Sequence, residues 1–210
     1  MRKNSKPDEG PYDPANYSSL NKGSPRKVKL RVYLIDNDFK TIFVEQDSKI
    51  KEILEILSSK IGIDDIENFG LFEEWTRNNR TEERLLNYDQ VLSDLTVKKT
   101  EKKIVVKCRV FRELNIINAN ETTTHLYYIQ TKHNILTGYY YAGITNATAL
   151  ACIQMQIEFG PYSQEKHKIG FMQNRIRDFI STLLLEKYGG KHMEMQILIA
   201  YSESCSVLFI

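Results

Sequence analysis

The chain has no run of about 18 apolar residues, the length that a membrane-spanning helix requires. Arg2, Lys3 and Lys6 near the start are followed by no apolar stretch, so the pattern of a secretory signal is absent. Cysteine is scarce: Cys108, Cys152 and Cys205 lie far apart and form no Cys-x-x-Cys pair. That excludes a disulfide framework and a thiolate metal finger, and it fits a reducing compartment. Two sequons, Asn120-Glu121-Thr122 and Asn146-Ala147-Thr148, are read as chance matches in the absence of a secretion signal. An excess of one charge is missing too. The formal net charge of +2 argues against a dedicated nucleic-acid binder.

Convergent reactive groups are equally absent. There is no HExxH, GxSxG, GxGxxG or phosphate-loop pattern. His125 and His133 do not have the i, i+4 spacing of a zinc-binding helix, and His167 and His192 stand alone. His133, on an apolar stripe, is expected to be a core or interhelical histidine. Cys108, in phase with Ile104, Val106 and Val110, is expected to be a small buried hydrophobe. Tyr139-Tyr140-Tyr141 reads as packing or surface. No catalytic residue, cofactor or metal site is expected, and the chain is read as non-enzymatic.

What is present is an ordered pattern. Residues 1–26, rich in Pro, Gly, Ser, Asn and Lys, read as a disordered tail. Val28, Leu30, Val32 and Leu34 alternate with polar residues and predict a half-buried strand. The turn-prone Asp36-Asn37-Asp38 and the strand Thr41–Val44 complete a hairpin. Asp47 and Ser48 are potential caps for a helix bearing Ile50, Ile53, Leu54, Leu57 and Ile61 on one face and ending at Gly62. A short strand at Phe69–Phe72, a polar loop from Trp75 to Arg84, a turn of helix at Val91–Leu95 and a last strand at Ile104–Phe111 follow. This order is that of a ubiquitin-like roll over 27–112.

A helical lobe is expected over 113–210. A first helix carries Leu126, Ile129, His133 and Leu136 and stops at Gly138. A second, capped by Thr145, carries Ala147, Leu150, Ala151, Ile153 and Ile157 up to Gly160-Pro161. A third runs from about Met172 to Tyr188, and Met193–Tyr201 begins one more buried element. Charge is uneven along the chain: Glu45 to Asp94 holds 13 acidic and 6 basic residues, and Lys98 to Arg112 holds seven basic and one acidic. Lys98, Lys99, Lys102 and Lys103 read as a solvated loop. Lys166-His167-Lys168, with Arg175 and Arg177, forms a basic knot suited to phospholipid headgroups, where each lysine contributes about 1 kcal/mol.

Three stretches resemble the talin head, a member of the FERM family. "FKTIFVEQDSKIKEILEILSSKIGI" (Phe39–Ile63) is similar to its ubiquitin-like first lobe. "LYYIQTKHNILTG" (Leu126–Gly138) is similar to the first helix of its second lobe. "CIQMQIEFGPYSQEKHKIGF" (Cys152–Phe171) resembles its most specific motif. The resemblance implies an α+β architecture, with the ubiquitin-like β-roll followed by an acyl-CoA-binding-protein-like helical subdomain, as in a partial FERM domain. It also implies a cytoplasmic adaptor, peripheral at the plasma membrane or cell cortex. Such an adaptor binds phosphoinositide membranes and cytoskeletal or adhesion proteins, but not nucleic acid. The family's membrane patch maps onto Lys166 and Lys168, and with the neighbouring His167, Arg175 and Arg177 they make up the expected lipid-binding set. A further lysine of the family patch falls on Asn146, which weakens it. By analogy, Lys29, Arg31 and Lys40 are candidates for contact with a Ras-family GTPase. The second lobe is expected to be incomplete, because the chain ends at Ile210 before a long last helix finishes.

Overall fold

The computed structural model describes residues 27–78, 80–95 and 102–204. The expected tail, Lys98, Lys99 and Cys205 lie outside the described residues. The chain falls into two compact units that divide between Gln130 and Thr131.

The first unit opens with β1 (Lys27–Tyr33) and β2 (Phe39–Glu45), an antiparallel hairpin with Val32 opposite Lys40 and Leu30 opposite Ile42. Asn37 turns it at φ 66°, a left-handed conformation that asparagine tolerates. The Asp36 carboxylate accepts the Asp38 N–H at 3.1 Å. Helix α1 (Ile50–Ile61) follows. Its cap is not the expected Asp47 or Ser48. Lys49 stands there, its N–H donating to the Glu52 carboxylate at 3.0 Å. The next N–H groups, of Ile50 and Lys51, donate to the carbonyls of Gln90 and Tyr88. A neighbouring segment thus satisfies donors that a capping hydroxyl would otherwise take. Gly62 ends the helix at φ 81°, as expected.

β3 (Phe69–Arg77) and β4 (Arg80–Leu85) form a second hairpin, and β5 (Lys103–Cys108) completes a sheet of order β2-β1-β5-β3-β4. β1 and β5 are parallel, and every other pairing is antiparallel. The expected polar loop at Trp75–Arg84 is therefore the end of β3 and most of β4. The reason is physical: every residue of β4 is exposed, so no alternation of buried residues marks it. It is held by cross-strand partners, Glu73 with Arg84 at 2.7 Å and the Trp75 indole N–H with Glu82 at 2.9 Å.

The sheet buries Val28, Leu30, Val32, Ile42, Val44, Leu71 and Val106 against Ile50, Ile53, Leu54 and Leu57 of α1. After α2 (Glu113–Asn118), helix α3 (Glu121–Leu136) begins at Asn120, whose Oδ1 accepts the Thr123 N–H at 2.8 Å. Its first half joins this core through Leu126, Tyr127 and Ile129. The Gln130 amide pairs both ways with the Cys108 main chain, accepting its N–H at 2.7 Å and donating to its carbonyl at 2.9 Å. Cys108 is buried as expected, and burial pushes its thiol up to about 11, far from nucleophilic use. His133 lies on the exposed side of α3 rather than in a core.

The second unit contains α4 (Ile144–Phe159), α5 (Thr182–Tyr188) and α6 (Gly190–Ser204). α4 starts after Gly143 rather than at Thr145. It is apolar on both sides. Ala147, Ala151, Cys152 and Met155 face the core, while Leu150, Ile153 and Ile157, expected to be inside, point outward. Small inner residues let the helices approach, which puts the larger ones on the other face. The expected continuous third helix is broken. Met172–Asp178 runs in turns with bonds from Arg175 N–H to Met172 carbonyl and from Asp178 N–H to Arg175 carbonyl, and α5 begins only after Ser181. The Asp178 carbonyl is taken by the Gln154 side chain at 3.1 Å, outside any helical ladder. The remaining core is Phe179, Ile180, Leu184, Met193, Ile197 and Tyr201.

The two faces of α4 differ in what they support. Met155→Ala is expected to cost about 2–5 kcal/mol in urea unfolding. Ile153→Ala stays within about 0.5 kcal/mol. Equal losses at both positions would mean that the outward face of α4 is covered.

Candidate functional site

The basic knot lies on a turn between α4 and α5. Gly160 closes α4, and the His167 N–H donates to the Ser163 carbonyl at 2.8 Å. The Ser163 N–H returns a bond to Nδ1 of His167 at 2.9 Å. This imidazole is 4% exposed and surrounded by Phe159, Tyr162, Phe171 and Tyr201, with ring centroids 4.9 to 6.4 Å away. His167 therefore does not face a headgroup, contrary to expectation. It anchors the turn from inside.

A second anchor comes from α6. Glu194, buried, accepts the N–H groups of Gly170 at 2.9 Å and Met172 at 2.7 Å on one carboxylate oxygen. Gly170 reaches this geometry at φ 99°, where a side chain would strain the backbone. With His167 and Glu194 holding the inside, Lys166, Lys168 and Ile169 point outward, and all three are exposed. Neither lysine takes part in an ion pair among the described residues.

Arg175 and Arg177 differ. Arg175 donates to Glu158 at 2.8 Å and to Asp178 at 3.0 Å, and its guanidinium lies 5.4 Å over the Phe159 ring. Those hydrogen bonds hold its pKa above the ordinary value. Burial alone would raise the Glu158 carboxyl, but bonds from Gln154 and Arg175 and the charge of Lys132 bring it below the usual range. Both arginines are exposed, but Arg175 is held by Glu158 and Asp178.

On the first unit the three candidates separate. Lys29 and Arg31 share the outer face of the hairpin with Phe43, which is 65% exposed, and with Phe39, over which the Arg31 guanidinium sits at 4.5 Å. Lys40 is in phase with the inward Ile42 and Val44, hence on the opposite face. It pairs with Asp38 at 3.0 Å, and that hydrogen bond lowers the Asp38 pKa. β2 pairs with β1 alone, and on it Lys60 of α1 donates to the Thr41 carbonyl at 2.6 Å. Tyr139, Tyr140 and Tyr141 are exposed.

Among the described residues no group of three or more His, Cys, Asp or Glu converges as a metal cluster. A cavity of about 330 Å³ is lined by Leu85, Leu86, Asn87, Tyr88 and Arg109, and its cation is engaged by the Tyr88 hydroxyl at 2.6 Å. No helix among the described residues is long and apolar enough to cross a membrane.

Comparison with known families places both units. Residues 26–125 match the RA-like domain, and residues 117–207 match the FERM central domain. Taken together, residues 26–207 are similar to two adjoining parts of a talin-like FERM domain. Talin-A of Dictyostelium discoideum is 26% identical over 171 residues, covering 80% of this chain and 6% of that protein. Talin-1 of Gallus gallus is 21% identical over 215 residues, covering 86% of this chain and 8% of its own length. The chain thus spans a small fraction of the curated relatives it matches. Solved structures agree on the fold. The FERM and C-terminal domain complex of Drosophila Merlin superposes with a TM-score of 0.66 at 20% identity, covering 83% of this chain and 58% of that one. The MyTH4-FERM MF2 domain of Dictyostelium discoideum myosin VII gives 0.67 at 18% identity, covering 90% and 38%.

Two of these residues were missed or misread in the sequence. Glu194 stands between Met193 and Met195, and a lone carboxylate in an apolar run is the signal that marks it. His167 sits between two lysines and looks charged, yet Phe159, Tyr162 and Phe171 nearby foretell its burial.

Burial, and next the charge of Lys166, hold the His167 pKa below its ordinary value. The bond from Ser163 also needs Nδ1 unprotonated. The unfolded chain then binds the proton more readily than the folded one. Stability is complete above the unfolded value near 6.5 and falls as pH drops toward the folded value. The thermal midpoint is expected to fall between about pH 7.5 and pH 5.5, and to fall less in His167→Gln. An equal fall in both would assign the effect to another group.

Proposed function

We propose that this protein is a non-enzymatic FERM adaptor that binds the anionic, phosphoinositide-bearing surface of a membrane. It would lie on the cytoplasmic side, at the plasma membrane or cell cortex, and scaffold cytoskeletal or adhesion partners. The ubiquitin-like lobe is taken as 27–112 and the helical lobe as 113–210. The supporting observation is the turn at 163–172, where two buried side chains, His167 and Glu194, leave Lys166 and Lys168 exposed and outside any ion pair among the described residues. Arg177 extends the positive charge, while Arg175 is held by Glu158 and Asp178. A turn fixed from within presents its charges without losing further backbone entropy on binding. Sedimentation with vesicles of phosphatidylcholine, phosphatidylserine and phosphatidylinositol 4,5-bisphosphate is expected to show binding that weakens with salt. Lys166→Glu with Lys168→Glu removes most of it. Unchanged binding by the double variant would rule out this turn as the lipid contact.

A second reading is favoured by the match of residues 26–125 to the RA-like domain. In it the outer face of the first hairpin, with Lys29 and Arg31, contacts a GTP-loaded Ras- or Rap-type GTPase. Lys40 is a poorer contributor, being paired with Asp38 on the other face. Lys29→Glu is expected to weaken capture of such a GTPase about tenfold or more while leaving vesicle binding intact. Capture that is insensitive to Lys29→Glu places the contact elsewhere.

A further inference from the structure

We propose that Ile169 is an apolar wedge that enters the acyl region of the membrane beside the Lys166 and Lys168 contacts. This inference rests on the membrane reading above and adds to it a depth and a second source of affinity. Ile169 is 68% exposed, although an isoleucine ordinarily seeks the interior. Its neighbours explain why it stays out. On one side the buried His167 is pinned to Ser163 and the aromatic cage. On the other, Gly170 and Met172 give their N–H groups to Glu194, and Met172 is buried.

The backbone through 167–172 is therefore fastened at both ends, and Ile169 is the outward point of the arc. Phe171, 5.1 Å from Phe159 and 4.9 Å from His167, is held by ring contacts and is less exposed than Ile169, at 38%. An exposed branched side chain that directly follows Lys168, with Lys166 on the same turn, has the composition of an interfacial membrane element. The lysines meet phosphate while the apolar group passes below it, their aliphatic stems bridging the two depths. A soluble acidic protein partner would satisfy the lysines and leave Ile169 in water, so the wedge favours a lipid surface.

The test uses the full chain and the same vesicles as above. Ile169→Ser is expected to weaken binding roughly tenfold, with the salt dependence of the remaining binding unchanged. Ile169→Trp is expected to bind as the parent does. Its added emission, after subtraction of the parent signal from Trp75, shifts to the blue and is quenched by lipids brominated on their acyl chains. Thermal melts of both variants check that the turn is intact. Parent-like binding by Ile169→Ser, or binding by Ile169→Trp without quenching, overturns the wedge and leaves the lysine contact standing. Absence of vesicle binding by the parent chain overturns the membrane reading and the wedge with it.

Discussion

One carboxylate oxygen determines the path of the basic turn. Glu194 accepts the N–H groups of Gly170 and Met172, and both bonds are charge-assisted. A buried carboxylate left without donors would be costly, so the two backbone groups and the acid need each other. Had those N–H groups bonded to carbonyls four residues back, the chain would have coiled into a helix. Because the acid takes them, no helical ladder forms through 170–172, and Lys168 and Ile169 stand on the exposed side of the turn. The exposure of Lys168 and Ile169 is thus a consequence of chemistry on α6, more than twenty residues downstream.

The strand unit works by a related rule. Its strand β4 is exposed throughout and has little apolar area to hold it, so polar pairing with β3 supports its register. Glu73 is 4% exposed and lies between Arg84 at 2.7 Å and Lys102 at 3.0 Å. A buried acid with two cations is compensated, and removing either one would leave an imbalance. Lys107 then links Glu74 to Glu83 on the neighbouring strand. At the other end of β5 the Gln130 amide reads the Cys108 peptide group as another strand would. That is why the first half of α3 belongs with the sheet.

These dependencies decide what could be read in the sequence. β1, β2 and α1 each bury one face and expose the other, so Val28, Leu30, Val32 and the Ile50–Leu57 stripe announce themselves at periods of two and 3.6 residues. β4 does not, because every one of its residues is exposed and periodicity has nothing to mark. α4 misleads in the opposite way. It is apolar all round, and only its small residues, Ala147 and Ala151, tell which side is inside. Met172, Ile176, Phe179 and Ile180 have helical spacing, yet the third helix fails because the Met172 N–H goes to Glu194 and the Asp178 carbonyl to Gln154. The basic knot was legible as charge. Its internal architecture was not, since hydrogen bonds across 24 residues leave no local pattern.

The same architecture bounds how strongly the turn can hold a surface. Of the five basic residues in the knot, His167 is buried and kept neutral by its surroundings, and Arg175 is paired with two acids. Lys166, Lys168 and Arg177, at about 1 kcal/mol each near an anionic leaflet, still fall short of the roughly 4 kcal/mol that corresponds to millimolar affinity. Charge alone therefore gives an encounter rather than an attachment. A side chain that enters the acyl region adds a term that salt does not screen, and a rigid turn adds it without an entropy cost. A surface built this way attaches firmly only when other contacts engage at the same time, because linked weak sites multiply through their effective concentration. On the proposed reading, such a turn responds to membrane composition while a protein partner supplies the holding force.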